Sequence, residues 1–243
     1  LAYVPGKALC RQTFETAGAR WGDWGGCEVR RTALAAATGR GALRLRRLGQ
    51  ARSPQALWDC RRLPLDEYPM LGLNVWLPAR QDDPSRAYSF ELAKLFFDGQ
   101  ADGVRGIASL DDVAPGSWRF VQVDLRTTRT STDADPFGIL LRQGQEDGKP
   151  VGLEVLVDDV TVFSPVDRAP GFEWGVPFDV SGIGGYSWAW DQQADTVPAP
   201  AVRTRDTTVT FSDVPAGHWV FHVRAVDGAG HWGPAAHLAI RTE

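Results

Sequence analysis

The stretch Leu153-Glu154-Val155-Leu156-Val157-Asp158-Asp159-Val160-Thr161-Val162-Phe163-Ser164-Pro165 constrains the chain more than any other. Apolar and polar residues alternate along it, the pattern of a half-buried strand, and it stops at a proline that cannot donate to a ladder. Two adjacent carboxylates, Asp158 and Asp159, fall in mid-strand. A carboxylate at a half-buried position has to be neutralised, by a cation or by a basic partner. The same stretch divides the chain into one β domain over residues 1–165 and a smaller one over 166–243.

Short alternating runs separated by turn residues dominate the first domain. Strands are predicted near Ala8–Glu15, Cys27–Leu34, Gly41–Arg47, Ala56–Leu63, Met70–Leu77, Tyr88–Phe97, Gly106–Ala108, Trp118–Leu125, Ile139–Gln143 and Leu153–Phe163. No window holds apolar residues at i, i+3, i+4 and i+7 with caps at both ends; Thr32 to Ala37 comes nearest. So many short strands imply an antiparallel two-sheet sandwich. After a stiff connector, Val166 to Gly171, the second domain offers strands at Gly185–Trp190, Thr207–Phe211, Gly217–Val226 and Ala236–Arg241. In the run Trp219 to Val226 the odd positions are apolar and face the core, which sends His222 and Arg224 outward.

At 243 residues and 43% hydrophobic content the chain can build two cores. A net charge of −4, with no basic cluster interleaved with aromatics, argues against nucleic acid. The longest apolar runs fall far short of the roughly 20 residues a membrane helix needs, so no membrane insertion is expected. The chain opens at Leu1 and its only Met is Met70, so it reads as a mature fragment or an excised piece. Lys is scarce and Arg abundant, with ten Trp, a composition that suggests a bacterial, loop-rich β protein. Cys10, Cys27 and Cys60 match no zinc spacing. In an extracytoplasmic protein one disulfide plus one thiol is the simplest reading, with Cys27–Cys60 preferred because both sit at strand-like positions; three buried thiols are the alternative.

Two resemblances follow from particular residues. The blocks Ser181 to Asp191 and Gly217 to Gly233, the second containing Asp227-Gly228-Ala229-Gly230, resemble a fibronectin type III-like or bacterial immunoglobulin-like module. The first domain resembles the galactose-binding-like jelly roll of carbohydrate-binding modules through Phe14-Glu15, Trp21 to Gly26, Gly41 to Leu45, Pro115 to Leu125 and Val157 to Val162. Together they imply an all-β chain, an antiparallel jelly-roll β-sandwich followed by a smaller immunoglobulin-like one. The jelly-roll resemblance also implies a structural calcium ion shared by Glu15 and Asp158 or Asp159, with backbone carbonyls near Arg40 to Ala42. Calcium takes several oxygens at about 2.3–2.6 Å and would tie the first strand to the last.

Sugar-binding modules of this kind stack aromatic faces on pyranose rings and meet hydroxyls with planar polar groups, on a sheet face or on edge loops. Trp58, beside Asp59, Arg61 and Arg62, offers that mixture, and Trp76, Tyr88, Phe96 and Gln143 are strand positions for the same face. Trp21 and Trp24 lie in a Gly-rich stretch read as a loop. For each of these aromatics core packing is the competing role. Catalysis is not expected. No carboxylate pair stands in a recognisable glycosidase block, no nucleophile elbow precedes a histidine, and no phosphate loop is present. His218, His222, His231 and His237 all fall in the smaller domain, where solvated histidines are favoured over a metal site. The expected function is non-catalytic binding of a polysaccharide or glycan at a bacterial cell surface or outside the cell, beside other domains of a larger protein. The alternative is a structural or adhesive segment that makes protein–protein contacts.

Overall fold

The architecture is that of a computed structural model, which describes residues 1–15, 21–24, 26–33, 36–49, 55–59, 63–77, 89–97, 100–101, 106–109, 116–125, 138–142, 154–166 and 168–242, with backbone alone for 23, 24, 55, 57–59, 89–97, 100–101, 106–109, 123 and 138–142. The strands in chain order are β1 (Ala2–Val4), β2 (Ala8–Gln12), β3 (Trp21–Trp24), β4 (Cys27–Thr32), β5 (Ala42–Arg47), β6 (Gln55–Asp59), β7 (Met70–Trp76), β8 (Ser89–Phe97) and β9 (Gln100–Ala101). They continue with β10 (Gly106–Ser109), β11 (Trp118–Asp124), β12 (Gly138–Arg142), β13 (Glu154–Phe163), β14 (Gly171–Glu173), β15 (Ile183–Asp191), β16 (Thr208–Thr210), β17 (Gly217–Asp227) and β18 (Ala236–Thr242). The described residues contain no α-helix, as the absence of a 3.6-residue period requires.

The chain forms two units, Ala8–Phe163 and the combination of Leu1–Lys7 with Ser164–Glu243. In the larger unit one sheet runs β10-β8-β12-β6-β3 with β9 on β8, and the other β11-β7-β13-β5-β4 with β2 on β13. Every pairing in both is antiparallel. Successive strands β5, β6, β7 and β8 fall alternately in the two sheets, as do β10, β11, β12 and β13, the connection pattern of a jelly roll. Between the sheets lie Leu43 and Leu45 of β5, Leu71, Leu73 and Val75 of β7, and Val155, Val157, Val160 and Val162 of β13. Ala56 of β6 joins that core, and Leu63, Leu65, Leu77 and Leu125 close it from the connections.

The core positions of β13 change parity between Val157 and Val160, because one extra residue enters the strand. The pairing to β7 slips between Asp158 and Thr161, and Asp159 has φ 51, a left-handed conformation that Asp tolerates better than most residues. The bulge is what lets both adjacent aspartates be fully buried while valines on either side still point inward.

The smaller unit corrects the expected boundary at residue 165. Ala2, Tyr3 and Val4 pair with Glu173, Phe172 and Gly171, so the first strand belongs to this unit and the jelly roll is inserted in the chain between β1 and β14. Its sheets are β1-β14-β16 and β15-β17-β18. Phe172 of the first stacks on Phe221 of the second, centroids 4.3 Å apart and planes at 9°, and Trp174 meets Tyr186 edge-on at 5.4 Å. His222 alternates with the core residues Phe221 and Val223, as expected, but is fully buried rather than solvated, in contact with His237 and Asp191.

Candidate functional site

In the β11-β7-β13-β5-β4 sheet the register lines up one residue from each of five strands. Trp118 stands opposite Trp76, Trp76 opposite Leu156, Leu156 opposite Arg44, and Arg44 opposite Arg30. All five lie on the face turned away from the core, since Val75, Val155, Leu43, Leu45 and Val29 occupy the alternating core-facing positions. Directly opposite residues on one face have Cβ atoms about 5 Å apart, so the row has two tryptophans at one end and two arginines at the other. Strand spacing makes the row about 19 Å long. Trp76 and Trp118 are half-buried, while Leu156 between them and the arginines is fully covered.

A second row, Glu154, Arg46 and Glu28, lies beside the first on β13, β5 and β4. Glu28 sits among three guanidinium groups, 3.0 Å from Arg30, 3.4 Å from Arg44 and 4.0 Å from Arg46. Glu154 approaches Arg44 at 4.0 Å. On the other side Phe120 of β11 lies across Gly72 of β7: a Cβ there would stand 2.7 Å from Phe120 Cζ and 3.1 Å from Phe163 Cε1. Glycine at this position therefore sets how close the Phe120 ring comes to the sheet.

Next to the row, the buried aspartates make a closed network. Asp158 Oδ2 accepts from the Ala37 and Thr38 N–H groups at 2.9 and 3.3 Å, and Oδ1 from Asp159 N–H at 2.8 Å. Asp159 Oδ1 accepts from Arg11 at 2.7 Å, and Oδ2 from the Thr38 hydroxyl at 3.0 Å and Asn74 Nδ2 at 3.2 Å. Burial first, and the neighbouring Asp159 charge second, push the Asp158 carboxyl up to about 8 against the pull of its N–H partners. Glu15 Oε1 accepts from the N–H groups of Arg40 and Gly41, both at 2.8 Å, while Arg31 donates to the Phe14 and Glu15 carbonyls.

This donor set does not fit the expected calcium ion. A hard cation needs converging oxygens, whereas every Asp158 and Asp159 oxygen faces a hydrogen-bond donor and the Arg40-Gly41 segment turns N–H groups toward Glu15. Among the described residues no group of three or more His, Cys, Asp and Glu is placed to hold a metal. A basic partner for the aspartates is in place: Arg11 pairs with Asp159 at 2.7 Å.

The expected sugar-binding residues are not brought together on one face. Trp58 is on β6 and Phe96 on β8, in one sheet, while Trp76 is on β7 in the other. Trp21 and Trp24, read as loop residues, are in strand β3, where Trp21 stands opposite Trp58 and packs against the core, 6.0 Å from the Phe14 ring. The side chains of Trp24, Trp58 and Phe96 lie outside the described residues, as do Arg61, Tyr88 and Gln143 altogether. Cys60 lies outside them too, and with it the expected Cys27–Cys60 pairing; Cys27 is buried in the core, its Sγ 3.7 Å from the Glu28 carbonyl. Trp118, Arg44 and Arg30 were missed as site residues. Their signal is parity, each on the polar phase of its strand, and it identifies a site only once the neighbouring strands are known.

No family model and no curated protein matches the chain. Among solved structures it is similar to the C-terminal family 22 carbohydrate-binding module of Clostridium thermocellum Xyn10B, at 14% identity over 65% of this chain and 93% of that one, TM-score 0.45. The xylan-binding CBM22-1 domain of Paenibacillus barcinonensis Xyn10C matches at 20% identity over 66% of this chain and 96% of that one, TM-score 0.46. A β-1,2-glucanase from Parabacteroides distasonis matches over 98% of this chain and 38% of its own, at 14% identity and TM-score 0.40. Likenesses this distant transfer no ligand and no residue role to the chain.

Proposed function

We propose that the larger unit is a non-catalytic carbohydrate-binding module that holds a polysaccharide across the outer face of the β11-β7-β13-β5-β4 sheet. The observation that carries this reading is the row from Trp118 and Trp76 to Arg44 and Arg30. Paired indoles at a sheet surface supply the apolar platform on which pyranose faces stack, and guanidinium groups supply planar donors for ring and exocyclic oxygens. A row about 19 Å long accepts several consecutive rings, so the ligand is an extended chain rather than a monosaccharide. No step of bond making or breaking is assigned to these residues. Such a polymer is met outside the cell, so this reading includes a location outside the cytoplasm or on the cell surface, with the smaller unit as companion module.

Affinity electrophoresis of the chain in gels containing neutral and acidic polysaccharides tests this. Retardation by at least one glycan is expected, and loss of it in Trp76→Ala and Trp118→Ala variants that melt like the parent. No retardation by any glycan would overturn the reading. A second reading, protein–protein contact, rests on the β14–β15 connection, where Val176, Phe178 and Val180 are 66%, 94% and 93% exposed. It predicts self-association or partner capture that Phe178→Ser abolishes.

A further inference from the structure

The charges at the arginine end of the row are not arranged as a neutral-sugar platform needs. Arg30 and Arg44 stand directly opposite each other on β4 and β5, and Arg46 follows two residues along on the same face. Like charges directly opposite destabilise a sheet, so their presence calls for a counter-charge. Glu28 supplies one carboxylate to three guanidinium groups, and Glu154 lies 4.0 Å from Arg44. The exposure is unequal as well. The Arg30 and Arg46 side chains are 70% and 57% exposed, those of Glu28 and Glu154 only 19% and 27%. Among the described residues the carboxylates thus lie beneath and the cations face solvent, leaving a positive rim at the end of the row opposite the two tryptophans.

Building on the carbohydrate-binding reading above, we propose that the glycan held on this face is anionic, a polysaccharide containing uronic acid. Its carboxylates are met by Arg30 and Arg46 while neighbouring rings stack on Trp76 and Trp118. A planar guanidinium presents paired N–H donors that match a carboxylate in bidentate geometry, which neither the indoles nor a hydroxyl can do. The Glu28 carboxylate competes with the ligand for the same donors, so it tunes affinity from below. A sulfate ester offers similar charge with different geometry and is the other source of the same chemistry.

The test is affinity electrophoresis and titration calorimetry of the full chain with four probes: polygalacturonate, its fully methyl-esterified form, neutral xylan and dextran sulfate. Polygalacturonate is expected to bind at least about tenfold tighter than its ester, a difference near 1.4 kcal/mol. The Arg30→Gln/Arg46→Gln double variant is expected to abolish that preference and leave the melting temperature unchanged. Glu28→Gln, which removes the competing anion, is expected to tighten polygalacturonate binding, and so guards against reading a folding defect as lost affinity. Equal binding of acid and ester, or a preference that survives the double variant, overturns the proposal. Preference for dextran sulfate over polygalacturonate overturns the choice of carboxylate. Binding of xylan alone, lost in Trp76→Ala, refutes the anionic ligand but leaves the carbohydrate-binding reading standing, and binding of no probe refutes both.

Discussion

Arg11 and Asp159 are 148 residues apart in sequence, yet Arg11 Nη2 donates to Asp159 Oδ1 at 2.7 Å. The pair joins β2 to the bulge of β13, where the first and last strands of the larger unit lie side by side. The Asp159 side chain is 1% exposed, and an uncompensated carboxylate at that depth is strongly unfavourable. Arg11 therefore ties the two ends of the unit together through charge.

Arg11→Ala is predicted to destabilise the larger unit by about 3 kcal/mol, the low end for breaking a buried pair because the guanidinium is itself partly exposed. Urea unfolding followed by tryptophan fluorescence measures it. The same geometry predicts that EDTA leaves the melting temperature of the wild type unchanged and that added calcium does not raise it. A fall with EDTA that calcium reverses would show that the carboxylates serve a cation after all.

Asp158 predicts a pH dependence of definite sign. Its carboxyl is raised from 3.8 to about 8, chiefly by burial, so the folded state holds the proton more tightly than the unfolded chain does. The contribution is fully present below about pH 4 and is lost as pH rises toward 8. Unfolding midpoints between pH 5 and pH 8.5 should fall for the wild type by more than for Asp158→Asn. An identical slope in the two proteins would contradict the raised value.

Much of the fold was legible because strand sequence has a period of two, and the ten expected strands of the larger unit all correspond to strands. What escaped was short or non-local. Ala2–Val4 is three residues followed by a proline, too short to show a period, and its partner Gly171–Glu173 is some 170 residues away. Trp21-Gly22-Asp23-Trp24 has the composition of a turn, and only pairing to β6 makes it a strand. The need to neutralise Asp158 and Asp159 was readable, but not the bulge that admits both, since one inserted residue leaves no mark in an alternating pattern. The candidate row was hidden for a related reason. Sequence gives the phase of Trp76, Trp118, Arg44 and Arg30 within their strands, not the order of the strands in the sheet.

The thiols offer a check on the expected disulfide. Cys27 is buried in the core, and burial pushes the Cys10 thiol up to about 11, so both are poor nucleophiles at neutral pH. Neither should react with a thiol reagent in the folded protein at pH 7.5, and both should react in unreduced protein unfolded in guanidinium. Fewer than two reactive thiols in the unfolded protein would mean that one of them is oxidised.

His222 and His237 form a cross-strand pair in the smaller unit, Nδ1 to Nδ1 at 2.7 Å, while His222 Nε2 lies 3.2 Å from Asp191 Oδ1. A carboxylate accepts only, so His222 donates from Nε2, and between the two Nδ1 atoms one ring donates and the other accepts. The chain of contacts holds β18 to β17 and β17 to β15. Burial first, then the neighbouring His222, hold His237 below its ordinary 6.5, with Asp195 pulling the other way. A histidine lowered in the folded state contributes stability above pH 6.5 that is lost as pH falls through its folded value. A second cation would also place two donors face to face at 2.7 Å. Acidification from pH 7.5 to pH 5 should therefore destabilise the smaller unit more in the wild type than in His237→Asn, as read by thermal unfolding at each pH. Equal losses in the two proteins would mean that the pair does not govern the acid sensitivity of this sheet.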